Sequence, residues 1–149
     1  MADIVEEMDI YYETLNERPD LGWFLQGHIV VEFMLRKRLS ERNPELAHQL
    51  RKASFFSILK AALNNDIVSQ SAHDVLSQIN SIRNKYAHEL SYRPTLEEWI
   101  DLWSSAQNAF SDMTDGIEQG LAELESVQRL EDADRFSLNE LFVQICHDI

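Results

Sequence analysis

The chain has 149 residues, 44% of them hydrophobic, with four Gly, three Pro and a formal net charge of −13. That length suits one domain with a real core, and scarce Gly and Pro beside long periodic segments point to an all-α fold. The acidity argues against general affinity for nucleic acid.

The charge is unevenly spread. From Arg36 to Arg93 ten Lys/Arg stand against five Asp/Glu, a net +5, while the rest of the chain carries three against 21, a net −18. A locally basic stretch on an acidic body can hold a short polyanion or dock another chain's acidic segment; solvation of polar faces is the plainer reading. The single cysteine, Cys146, cannot form an internal disulfide, which fits a reducing compartment. Met1–Glu7 is acidic rather than a basic-then-apolar leader. The apolar runs Ile29–Val31 and Phe33–Leu35 are interrupted by Glu32 and too short for a bilayer, so the expected location is cytoplasmic, away from membranes.

In chain order, Ile4, Met8, Tyr11, Tyr12 and Leu15 predict an amphipathic helix over residues 3–17, broken at Arg18-Pro19-Asp20, with Asp20 as the next N-cap. Residues 21–42 read as the central helix. Its apolar residues, from Leu21 and Trp23 to Met34 and Leu35, wrap almost the whole circumference and predict burial on most sides. Gly27 permits close approach of another helix. His28 and Glu32 lie four apart in this run, either as a hydrogen-bonded core pair or with Glu32 reaching Arg83 to orient it. The five histidines show no helical pair with a third ligand of the kind zinc uses.

Residues 43–53 read as a polar connection with a helical piece. Phe55, Phe56, Ile58, Leu59, Ala62 and Leu63 mark a short helix over 54–64, stopped by Asn64-Asn65-Asp66. The next helix, capped by Ser69 or Ser71, turns Val75, Ile79, Ile82 and Tyr86 to the core. It then carries Arg83, Asn84, Lys85 and His88, a permanent cation followed by a residue type whose charge changes near neutrality. At about 100° per residue Arg83 and His88 point roughly 140° apart, whereas Asn84 and His88 share a face. A bent helix end or a partner chain is needed to bring them together; otherwise they are an exposed histidine and an arginine snorkelling beside the core.

Arg93-Pro94 ends this segment. Thr95-Leu96-Glu97-Glu98 is a capping box and predicts a long helix to about Glu125, with Trp99, Trp103, Ala106, Phe110, Met113, Ile117, Leu121 and Leu124 inward. Gly116 and Gly120 mark a kink or close packing within it. Residues 126–136 are polar and acidic and read as a linker or a loose helix. Ser137-Leu138-Asn139-Glu140, a second capping box, opens a short amphipathic tail helix that docks on the same domain or on a partner. The chain is thus read as a compact bundle of about five to six helices, organised as a helical domain over 1–125 followed by linker and tail over 126–149.

Arg83-Asn84-Lys85-Tyr86-Ala87-His88 resembles the Arg-polar-x-x-x-His signature of the HEPN superfamily (higher eukaryotes and prokaryotes nucleotide-binding domains). The helix order over about residues 20–110 resembles it too. The resemblance implies a metal-independent endoribonuclease, a toxin or phage-defence effector, with no cofactor. Arg83 and His88 would be catalytic and Asn84 their polar support, in a homodimer whose two signatures face one cleft. Glu32 and Tyr86 would stand behind these residues, and Lys85 and Arg93 would contact RNA phosphates. An antitoxin or other protein is the further partner class. Relatives paired with a nucleotidyltransferase antitoxin carry Tyr two residues after the His; here that position is Leu90 and the next tyrosine is Tyr92. The helix order also resembles the mannitol-operon-repressor family, which implies instead a non-catalytic helical dimer acting as a regulatory or protein-interaction module.

Overall fold

Four polar side chains set where helices start. Asn43, Ser54, Ser69 and Thr95 each accept a hydrogen bond from a backbone N–H of the following first turn, satisfying a donor the helix leaves open. Of the two serines offered for the signature helix, Ser69 is the cap. Thr95 forms only half of its box: Glu98 N donates to Thr95 Oγ1 at 3.1 Å, while the Glu98 carboxylate accepts from Tyr92 Oη at 2.9 Å.

The computed structural model describes residues 8–9, 19–89, 91–111 and 115–149 and, of residues 19–21, 135 and 136, the backbone alone. Within them lie seven α-helices and no strand: α1 Pro19–Arg42, α2 Pro44–Gln49, α3 Phe55–Asn64, α4 Gln70–His88, α5 Leu96–Ala109, α6 Gly116–Ser126 and α7 Arg135–Asp148, with a 3₁₀ turn at Leu130–Asp132. The fold is all-α, with more helices than the five or six expected. The helix expected over 3–17 lies outside the described residues except for Met8 and Asp9. None of the described helices is long and apolar enough to cross a membrane.

Helix α1 packs against α2, α3, α4 and α7, and the chain closes around it as α4 packs on α5, α5 on α6 and α6 on α7. The core is dense in aromatic rings. Trp99 and Trp103 stack with centroids 5.3 Å apart and planes 13° apart, and Trp23 lies 5.0 Å from Trp99. Phe142 of α7 meets Trp23 and Phe24 edge-on. The tail helix therefore docks on the same domain, burying Leu138, Leu141, Phe142 and Ile145. Arg38 Nε ties its end down by donating to the Ile149 carbonyl at 3.0 Å. The three buried indole N–H groups find no hydrogen-bond partner among the described residues. Trp103 Nε1 lies against the glycine face of α6, 2.5 Å from where a Cβ on Gly120 would sit.

Four expectations are corrected. Asp20 lies inside α1, which already includes Pro19, a residue the first turn of a helix tolerates. The long helix over 95–125 is two helices. Phe110 leaves α5 in an extended conformation to bury its ring, and Asp115, at φ 56, adopts a left-handed turn that no continuous helix accommodates. Gly116 and Gly120 then let α6 lie close against Glu140 and Trp103. Ser137 is within α7 rather than capping it; its hydroxyl donates to the Asp134 carboxylate at 3.0 Å. Finally, α1 is not buried on most sides. Its neighbours cover one broad face, leaving Ile29 63%, Val30 49% and Phe33 64% exposed.

Gly27 and Gly22, both in α1, give a paired test. A Cβ on Gly27 falls 2.5 Å from the buried Phe142 ring, whereas one on Gly22 meets nothing within 4 Å. Alanine gains up to about 1 kcal/mol of helix propensity at either site, and overpacking costs roughly 1–3 kcal/mol. Gly22→Ala is expected to raise the melting temperature and Gly27→Ala to lower it. Equal shifts of one sign would show that the α1–α7 contact is loose.

Candidate functional site

The signature helix α4 runs unbroken to His88, so the angular separation read from its sequence holds: Arg83 and His88 leave the helix on different sides. Arg83 is half-buried and enters a cleft of about 460 Å³ between α1, α3 and α4. Asn84 shares the cleft, and its Oδ1 accepts from Arg83 Nη1 at 3.3 Å. His88 is exposed in the last turn and does not line the cleft.

The other wall comes from α1. His28 is buried, its ring 4.4 Å from that of Phe55. Its Nε2–H donates to Asn80 Oδ1 at 3.1 Å, joining α1 to α4. The anticipated His28–Glu32 pair is thus replaced by a longer-range bond. Burial lowers the His28 pKa, and Arg83 lowers it further, against the opposing effects of the Asn80 bond and of Glu32. Glu32 lies in the same cleft as Arg83, but its ion pair is with Arg36, one turn on, at 3.4 Å. Among the described residues Arg83 has no ion pair.

Arg36, marked in the sequence only as the start of the basic stretch, does not line the cleft but holds the turn behind one of its walls. Its guanidinium donates to the carbonyls of Leu50 at 3.1 Å, Arg51 at 3.3 Å and Ala53 at 2.7 Å. This fixes the turn leading into Ser54, the cap of α3, and so places Phe55 and Phe56 at the cleft. Asn80 and Phe56 were also missed. The signal for Asn80 was present, since Asn80, Arg83 and Asn84 follow the i, i+3, i+4 spacing of one helix face.

The remaining candidates lie beside the cleft. Tyr86 is buried against Phe24 and, edge-on, Tyr92. Lys85 Nζ sits 5.4 Å above the Tyr92 ring, a cation–π contact, and Arg93 is exposed. Tyr92 is half-buried with its hydroxyl bound to Glu98; burial first, then that acceptor, push its pKa up. Leu90 lies outside the described residues. No family model, no curated protein and no solved structure matches this chain.

Two expectations follow. His28 has a folded pKa below its unfolded value, so the unfolded chain binds more protons once pH drops beneath about 6.5. Its contribution to stability is complete above that pH and is lost as pH falls through the window below it. Urea unfolding at pH 7.5 and 5.5 should show a loss at the lower pH that is smaller in His28→Gln; an unchanged loss would assign it to other groups. Arg36→Ala should destabilise the chain by roughly 1–3 kcal/mol and speed amide exchange over residues 50–55 while sparing α5 and α6. Unchanged exchange there would remove Arg36 from its organising role.

Proposed function

We propose that the chain is a HEPN-type endoribonuclease, a toxin or phage-defence effector, acting without a metal as a homodimer. The observation that carries this reading is the state of Arg83: a guanidinium in an open cleft, held by an amide and by no carboxylate ion pair among the described residues. A structural arginine so close to the core would ordinarily be paired. This one is left to take an external anion, and guanidinium binds phosphate oxygens two at a time.

Cleavage needs the RNA 2′-hydroxyl deprotonated, the pentacoordinate phosphorus stabilised and the departing 5′-oxygen protonated. Arg83 meets the second need. His88 serves the first or the third, and two copies supply one histidine for each. Dimerisation answers the separation along α4, because a second chain can bring its own His88 toward this Arg83. The exposed Ile29, Val30 and Phe33 on α1, with Ile29 on the cleft's edge, are an apolar border of the kind a second copy covers. Lys85 and Arg93 would extend the phosphate contact.

The position of His88 outside the cleft favours the second reading, a non-catalytic HEPN-like dimer that binds a protein partner and is regulatory in the manner of the mannitol-repressor family. Induction in cells separates the two. Under the first reading the natural chain arrests growth and fragments RNA. Arg83→Ala and His88→Ala, folded by circular dichroism, lower cleavage by about 10²-fold or more. If all three are equally harmless, the ribonuclease reading falls and the interaction module takes its place.

A further inference from the structure

The cleft beside Arg83 holds more than a phosphate contact requires. Phe56 stands at its mouth with 59% of its surface exposed, a large ring that the fold does not use. The amides are already oriented: His28 occupies Asn80 Oδ1 and Arg83 occupies Asn84 Oδ1. The NH₂ groups of Asn80 and Asn84 are left without partners among the described residues. Among the described residues Glu32 accepts one bond, from Arg36 to Oε1 at 3.4 Å, so Oε2 is open and Oε1 keeps a second lone pair, and the carboxylate can still take two neighbouring donors.

Together these present a stacking ring, a carboxylate acceptor, two amide donors and a cation. The complementary molecule has a flat π face, two adjacent N–H donors with an acceptor beside them, and a phosphate. Among nucleobases only guanine offers two neighbouring donors, N1–H and N2–H, that one carboxylate can take together, with O6 next to them as acceptor. Adenine and cytosine place a ring acceptor beside their amino group, and uracil flanks its single N–H with carbonyls that a carboxylate repels.

We propose that this cleft is a guanine subsite, with the base on Phe56, its N1–H and N2–H on Glu32, its O6 on the asparagine amides, and its phosphate on Arg83. The inference rests on the ribonuclease reading and deepens it: the nucleotide next to the cut is a guanosine.

Calorimetric titration of the full chain with GMP, AMP, CMP, UMP and inorganic phosphate tests it. GMP is expected to bind about tenfold or more tightly than the others. Glu32→Gln should bring GMP down to the level of the other nucleotides. Phe56→Ala, an exposed position where folding is retained, should weaken all four nucleotides and leave inorganic phosphate unchanged. Equal affinity for the four nucleotides, or GMP no tighter than phosphate, overturns the proposal. RNA cleavage without preference at guanosine rejects the subsite alone. Selective GMP binding by a chain that cuts no RNA upholds the subsite and counts against the ribonuclease reading.

Discussion

The packing of Trp23 against Trp99 and Trp103 fixes the rotation of α1, and the rest of the molecule follows from that angle. At about 100° per residue, Phe24, Gly27, Val31, Leu35 and Leu39 fall within an arc of roughly 160° from Trp23 and fill the core. His28 lies at one edge of that arc, with Glu32, Arg36 and Ile29 successively just beyond it. The same rotation that seals the aromatic cluster therefore presents a polar edge to α4 and turns Phe33 outward. Cleft and exposed apolar border are two results of one docking angle. The chain could move neither without unstacking its tryptophans.

The electrostatics of the cleft are settled by competition among near neighbours. Glu32 has a cation one turn away on its own helix, and Arg36 takes it. Arg36 is itself held by three carbonyls, so the pair is anchored rather than adrift. This keeps the carboxylate from neutralising Arg83. Burial first, and the Arg83 guanidinium after it, lower the His28 pKa against the opposing effects of the Asn80 bond and Glu32. Arg83 thus stands among groups already bound elsewhere, held by Asn84 and, among the described residues, by no ion pair.

Much of the fold was legible because helix periodicity and caps are local. Ser54, Ser69 and Thr95 start helices where their side-chain chemistry says they should, whereas the signature helix stops at His88, short of the Arg93-Pro94 break read from the sequence. The misreadings came from tertiary choices. An apolar circumference on α1 cannot say which arc its neighbours will cover. Nothing in the sequence around Phe110 distinguishes a helix residue from one that leaves the helix to bury its ring. Ser137 has a capping box and loses the role to the earlier start of α7. In the site, Arg83 and Asn84 were visible as a polar cluster on a face that Asn80 shares, whereas the bonds that Asn80 and Arg36 make reach partners 52 and 14–17 residues away, distances no local pattern encodes.

All three tryptophans belong to one buried, stacked cluster with buried indole N–H groups, and this gives the protein a distinctive optical property. Its emission should be blue-shifted when folded, and the nearly parallel Trp99–Trp103 pair should add exciton coupling to the near-ultraviolet dichroism. These signals report the junction of α1, α5 and α7 and are blind to α3 and the turn before it. Fluorescence would thus follow the seal of the bundle, while loosening of the cleft would pass unseen. Agreement of its transition with one followed by helix content would mean that cleft and aromatic seal melt as a single cooperative unit.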